Sequence, residues 1–211
     1  MKTVASVMAL SAALLSTGLA QAEKPRPELA ALVGWGTPAF NSSYNNFGPG
    51  AGIRGGVAVG ALWIGATTTY QLGQTSGWND YSSGAPVSQQ WALAVFAGGG
   101  EIGANIRFSH VVLRPYVWAG ALVYMQSPLA TGTPPEAPAD PIVRFAVAPS
   151  IHVDYELARG GWFFGGDVRV NLLVPGTAPR VRGCDCAVMN WTDAEHFTGE
   201  VSVFGVVGKR F

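Results

Sequence analysis

Residues 143–157 read VRFAVAPSIHVDYEL, and this stretch decides the fold because its side chains alternate between apolar and polar. One face would carry Val143, Phe145, Val147, Pro149, Ile151, Val153, Tyr155 and Leu157. The other would carry Arg144, Ala146, Ala148, Ser150, His152, Asp154 and Glu156. A period of two is that of a β-strand whose faces meet different surroundings. The polar face holds small residues and isolated charges rather than many lysines, which predicts a narrow enclosed interior.

The same alternation recurs along the chain and predicts eight strands. Their approximate bounds are 30–40, 49–60, 62–73, 90–108, 112–125, 142–157, 162–174 and 197–211. These lengths meet or exceed the roughly 9–11 residues that a tilted strand needs to cross a membrane. The fold class predicted is therefore all-β, an eight-stranded antiparallel up-and-down transmembrane β-barrel.

The connections between these strands alternate strictly between long and short. The short ones lie at 60–61, 109–111 and 158–161, and the long ones at 41–48, 74–89, 126–141 and 175–196. Outer-membrane barrels have an even number of strands, short periplasmic turns and longer external loops. This sorting predicts that both chain termini lie in the periplasm.

Composition favours a membrane barrel over a soluble domain. Charged residues make up 12% of the chain, whereas soluble domains average about 25%. The net charge is zero and the basic residues are scattered, which argues against a nucleic-acid partner. No stretch after residue 22 is apolar for long enough to form a spanning helix, and without such helices only a closed barrel pairs every backbone group inside lipid.

The N-terminus predicts export. Lys2 is followed by an uncharged apolar stretch shorter than the about 20 residues of a spanning helix, and Ala20 and Ala22 supply a small-x-small cleavage pattern. We expect a cleaved signal peptide at residues 1–22, a periplasmic N-terminal lead at 23–29 and the barrel at 30–211.

The last strand ends on Phe211, with Phe197, Val201, Val203 and Val207 on the same face. A terminal Phe that closes an alternating strand resembles the C-terminal signature that the barrel-assembly machinery recognises in outer-membrane barrels. Lys209 departs from that signature, which usually has an aromatic or apolar residue there, although near the rim its ammonium can reach the headgroups.

On this architecture and Phe211, the chain resembles the OmpA/OmpX-like class of small eight-stranded outer-membrane barrels over about residues 30–211. The resemblance implies a location in the outer membrane, contact with its lipid, and insertion by the barrel-assembly machinery. It selects no activity, because members of the class differ in role.

The chosen strand phases point nine charged side chains into the barrel, where they are expected to pair because isolated charges are costly with little water. They are Arg54, Glu101, Arg107, Arg144, Asp154, Glu156, Asp167, Arg169 and Glu200. We expect Arg169 to pair with Asp167 or Glu200, and Arg54 to meet Glu101 across the lumen.

Two further patterns have alternative explanations. Residues 98–103, GGGEIG, satisfy a dinucleotide-binding pattern, but they lie inside a strand with no helix after them, so strand curvature explains them better. Cys184 and Cys186, the only cysteines, lie in the longest loop. They could form a local disulfide, remain free thiols, bind metal with Asp193 and His196, or bond to another chain.

No residue set in the sequence specifies catalysis, a cofactor or a metal site. His152 and Asp154 share the inward face and could form a base with its orienting partner, but no serine is clearly paired with them. The sequence favours a non-enzymatic structural or surface-interaction protein that acts through external loops whose ligand is unspecified. The alternatives are a small transport pore and a lipid-modifying outer-membrane enzyme.

Overall fold

The structure is a computed structural model in which antiparallel pairing joins nine strands. It describes residues 24–39, 47–80, 87–129, 141–158, 160–174 and 199–211. The strands are β1 (Arg26–Ala39), β2 (Pro49–Val59), β3 (Leu62–Asp80), β4 (Val87–Ala104), β5 (Ile106–Phe108), β6 (Val111–Leu129), β7 (Ile142–Glu156), β8 (Trp162–Leu173) and β9 (Gly199–Arg210). Within these ranges no helix is long and apolar enough to cross a membrane.

The sheet closes on itself. β1 pairs with both β2 and β9, and β6 pairs with both β4 and β5. β4 and β5 are successive parts of one wall strand, interrupted only at Asn105, so the nine strands form a closed barrel of eight. This confirms the predicted all-β, eight-stranded up-and-down fold.

Several strands are longer than the sequence predicted. β1 begins at Arg26 rather than near residue 30, so the last part of the predicted N-terminal lead belongs to the barrel wall. β3 continues to Asp80, β4 starts at Val87, and β6 continues to Leu129, so parts of the predicted loops at 74–89 and 126–141 are strand. The β3–β4 register shifts between Leu72 and Thr75, and this bulge breaks the alternation on which the prediction relied.

The short connections define one end of the barrel, called here the turn end; the opposite end is the loop end. Gly60, Gly160 and Gly161 have positive φ angles in two of these turns, and Ser109 has a φ of 55° in the third. Positive φ is easily reached only without a Cβ, so glycine suits such tight reversals. Both ends of the described barrel, β1 at Arg26 and β9 at Arg210, also lie at the turn end.

The two faces of the wall differ as the alternation predicted. The outward face carries large apolar side chains that remain open to the surroundings, among them Leu29, Val33, Trp35, Ile53, Ile64, Ile102, Val143, Phe145, Ile151, Val203 and Val207. The inward face contains two apolar clusters. The larger, on the loop-end side, contains Phe47, Val95, Tyr116, Trp118, Leu122, Tyr124, Ala146, Ala148 and Leu173. The smaller contains Ala30, Leu32, Phe163, Phe204 and Val206.

Candidate functional site: the barrel interior

Four charged side chains from β2, β4 and β8 meet at mid-height in the barrel. Arg54 Nε lies 2.7 Å from Glu101 Oε2, and Arg54 Nη1 lies 3.0 Å from Asp167 Oδ2. Arg169 Nε lies 2.8 Å from Asp167 Oδ1, and its Nη2 lies 3.4 Å from Glu101 Oε1. Each arginine therefore contacts both carboxylates. We call these four residues the central ion cluster.

Neutral donors complete the coordination of the two carboxylates in the central ion cluster. Trp63 Nε1 donates to Glu101 Oε2 at 3.1 Å, and the Thr67 hydroxyl donates to the other oxygen of Glu101. The Tyr116 hydroxyl lies 2.8 Å from both oxygens of Asp167. Such contacts matter because a buried carboxylate is tolerated only when its lone pairs are satisfied.

A second group of charges, the turn-end ion cluster, consists of Glu28, Arg114, Asp154 and Arg210. Arg114 binds the Glu28 carboxylate with two nitrogens, at 3.0 and 2.9 Å, the bidentate geometry that makes such pairs strong. Arg210 Nε lies 3.0 Å from Glu28 Oε2, and its Nη2 lies 2.6 Å from Asp154 Oδ2. Asn105 accepts from Arg114 Nε at 2.6 Å.

His152 lies between the two ion clusters. Its Nε2 is 3.0 Å from Asp154 Oδ2, and its Nδ1 is 3.6 Å from Asp167 Oδ2. The side chain is fully buried, and Phe163 packs edge-on against its ring. Ser150, two residues away on the same face, donates instead to the carbonyl oxygen of Ala148 at 3.0 Å. The arrangement joins two charge networks, and the described side chains that contact His152 are two carboxylates and a phenyl ring, none of which is a hydroxyl or thiol nucleophile.

Aromatic rings lie against guanidinium groups of both ion clusters. The Cζ of Arg114 lies 3.9 Å from the centre of the Trp63 ring, and that of Arg54 lies 4.5 Å from the centre of the Tyr116 ring. Arginine over an aromatic face is attracted electrostatically by the ring quadrupole. The rings thus fill volume between the charges and stabilise them at the same time.

Near the loop end, Glu200 contacts a different set of residues. The Tyr124 hydroxyl lies 3.1 Å from Glu200 Oε1, and the Glu200 side chain is fully buried. Gln71 Nε2 lies 3.4 Å from the Ser202 hydroxyl at the same end. Of the two partners expected for Arg169, the structure therefore places Asp167 against it and Glu200 elsewhere.

Seven of the nine charged residues assigned to the interior from the sequence are buried there: Arg54, Glu101, Arg144, Asp154, Asp167, Arg169 and Glu200. The other two lie at the rim of the turn end. The Arg107 and Glu156 side chains are 32% and 26% exposed, and their nearest charged atoms are 3.3 Å apart. They lie where β5 and β7 end and belong to the edge of the interior network, because Glu156 contacts both Arg107 and Arg210.

Three interior charges escaped the sequence analysis. Glu28 was missed because the first strand was drawn from residue 30. Arg114 shares its inward face with Val112, Tyr116 and Trp118, large side chains that look lipid-facing in the sequence. Arg210 has the same phase as Glu200, so strand phase alone would have placed it inside.

The pattern GGGEIG lies within β4, and steric space explains its inward glycines. A Cβ at Gly99 would lie 2.6 Å from the Trp118 ring, and one at Gly103 would meet Tyr116. Within the described ranges, no group of three or more His, Cys, Asp or Glu side chains could hold a metal ion. Cys184 and Cys186, with Asp193 and His196, lie outside the described residues.

The chain is similar in fold to solved bacterial β-barrels. A major outer membrane protein from Thermus thermophilus superposes with a TM-score of 0.55 at 13% identity, covering 90% of this chain and 100% of that one. The Neisserial surface protein NspA gives 0.49 at 12% identity, with 90% and 99% covered. Ail of Yersinia pestis, solved with the heparin analogue sucrose octasulfate, gives 0.47 at 7%, with 90% and 100% covered. No family model and no curated protein sequence matches the chain. At these identities, the Thermus comparison shows a shared fold.

Proposed function

We propose that this protein is a non-enzymatic integral protein of the outer membrane, a closed barrel that serves a structural or surface-interaction role through its external loops. The observation that carries the proposal is the contrast between the two faces of one wall. Apolar side chains face outward, whereas paired charges and aromatic rings fill the inside. A water-soluble barrel of this size would have the opposite arrangement.

The outward face supports a position in lipid. Val33 and Phe145 are 68% and 67% exposed on a face that has almost no charge. So large a contiguous apolar surface is rare on a soluble monomer and requires a cover. A bilayer covers all sides of a barrel at once, and closure leaves no unpaired strand edge to the hydrocarbon.

The filled interior argues against the transport-pore alternative. Trp63, Trp118, Arg54 and Arg114 are among the largest fully buried side chains, and all four point inward. An eight-stranded barrel has an interior just wide enough for side chains to fill. A pore would need a continuous water-filled path past both ion clusters.

The position of His152 argues against the lipid-modifying enzyme. Such an enzyme needs a base or nucleophile that reaches a substrate in the membrane. His152 is fully enclosed between Asp154 and Asp167, and the nearby Ser150 hydroxyl bonds the backbone. Both side chains therefore serve the packed interior in this proposal.

The proposal includes the route and orientation of the protein. The signal peptide is cleaved after Ala22, the barrel-assembly machinery inserts the chain, the turn end faces the periplasm, and the loop end faces outward. The long connections predicted from the sequence then form the contact surface.

Planar-bilayer recording of the purified, folded protein tests the closed-scaffold function. We expect no steady conductance of porin size, while the same preparation shows a heat-modifiable mobility on a detergent gel and stays with extracted membranes. A steady current of porin size would show that the interior is open, and the transport-pore function would then be the correct one. A change in the mass of lipid A when the protein is expressed would favour the lipid-modifying enzyme. A mature chain found free in the periplasm would contradict the membrane location.

A further inference from the structure

Lys209 is the one charged residue on the outward face, among the outward side chains that the structure describes. Its cross-strand neighbours are Leu29 of β1 and Trp162 of β8, both about half exposed on the same face. It lies at the turn end, where Arg210 N donates to Gly161 O at 2.8 Å and the wall stops. A lysine on the lipid face costs most at the bilayer centre and little near the interface.

Two aromatic rings frame the Lys209 ammonium. Its Nζ lies 5.8 Å from the centre of the Trp162 ring and 5.3 Å from the centre of the Phe211 ring. Both rings lie within the range of a cation–π attraction. They hold the positive charge against the outer wall rather than letting it extend freely into water.

No carboxylate in the described residues forms an ion pair with Lys209. The adjacent Arg210 shows the contrast, because it turns inward and pairs with Glu28, Asp154 and Glu156. A cation held on an apolar wall between two rings is complementary to an anion supplied from outside the chain. At the level where a lipid face ends, that anion is a headgroup phosphate.

We propose that Lys209, with Trp162 and Phe211, forms a binding site for the phosphate of an anionic membrane phospholipid in the leaflet at the turn end. The inference rests on the membrane position proposed above. An anionic phospholipid fits better than a zwitterionic one because it carries no amine or choline group that competes for the phosphate. Bound there, the headgroup fixes the depth and rotation of the barrel at this strand.

A solid-state NMR experiment tests the contact directly, without disturbing the site. The chain has only three lysines, Lys2, Lys24 and Lys209. Lys2 lies in the cleaved signal peptide, so in a K24Q variant of the mature chain labelled with nitrogen-15 lysine, Lys209 provides the one side-chain ammonium signal. In vesicles of phosphatidylcholine and phosphatidylglycerol, dipolar coupling to lipid phosphorus should reduce the intensity of that nitrogen signal. An ammonium that stays coupled only to protein carbon, with no phosphorus contact, would overturn the proposal.

Native mass spectrometry of the full chain in detergent measures the selectivity. K209Q should retain phosphatidylglycerol about fivefold less well than wild type, the effect of about one surface cation. K209R should retain it normally, because it keeps the charge. K24Q is the matched control, since it removes the same charge just before β1 without an aromatic frame. Equal losses for K24Q and K209Q, or no loss for K209Q, would overturn the site.

Bilayer insertion separates this inference from the function on which it rests. If the wild-type protein fails to enter vesicles with a heat-modifiable mobility, the membrane function itself is wrong. If it enters normally and Lys209 shows no phosphate contact, the function stands and the lipid site is wrong.

Discussion

Arg54 on β2 and Glu101 on β4 form an ion pair across the intervening strand β3, with Arg54 Nε 2.7 Å from Glu101 Oε2 and both side chains fully enclosed. Thr67 of β3 donates to the same carboxylate. Three consecutive wall strands are thus tied together on the inside, in addition to their backbone ladders. Charges occupy the volume that a lumen would need.

Arg54→Met should lower the free energy of unfolding by about 3–5 kcal/mol, because it leaves Glu101 and Asp167 short of a buried cation. The double variant Arg54→Met with Glu101→Gln should lose less than the sum of the two single losses, because charge balance returns. Equilibrium urea unfolding of the folded barrel in detergent micelles measures all four states. Losses that simply add would contradict the pairing.

Gly99 and Gly100 provide a matched pair on opposite faces of β4. A Cβ at Gly99 would lie 2.6 Å from the Trp118 ring, whereas one at Gly100 would have only a carbonyl oxygen at 3.9 Å near it. Gly99→Ala should therefore cost about 1–3 kcal/mol through overpacking. Gly100→Ala should be neutral or stabilise the protein by up to about 1 kcal/mol, since the unfolded chain loses freedom. Urea midpoints that rank the two variants in the reverse order would overturn the assignment of faces.

Deletion of Phe211 should lower the amount of folded protein in the membrane and raise its degradation in the periplasm, if the assembly machinery reads the last strand. Quantitative blotting of membrane and periplasmic fractions measures both. Phe108→Ala is the control, because Phe108 is also an exposed aromatic residue at the turn end but lies on β5. Normal insertion of the deletion variant, or an equal defect in the control, would exclude a role for the terminal residue in assembly.

Epitope tags test the orientation of the two ends. A tag inserted near Gly132 or Thr177, in the long connections, should be labelled on intact cells. A tag at Gly160, in the turn before β8, should be labelled only after the outer membrane is permeabilised. Gly160 has a φ of 80° and an exposed position, so the insertion disturbs no wall strand. Labelling of Gly160 but not of Gly132 or Thr177 on intact cells would show that the barrel has the opposite orientation.

The sequence by itself determined the closed wall and its two faces. Period-two alternation is a local property of each strand, so residues 143–157 alone distinguish the side that carries Phe145 from the side that carries His152. The strict alternation of short and long connections then determined the strand count and the up-and-down order. The inward position of Asp167 and Arg169 follows from the same phase.

Only the tertiary structure decided which charges meet and how far the strands extend. Arg114 and Glu28 are 86 positions apart, and their bidentate pair depends on barrel closure and strand stagger, which no local pattern encodes. The extension of β3 past its bulge depends on its partner β4 continuing the ladder. Lys209 acquires its aromatic frame because closure and register place Trp162 of β8 beside it. Local alternation sets the direction of a side chain, whereas distance across a closed barrel sets its partner.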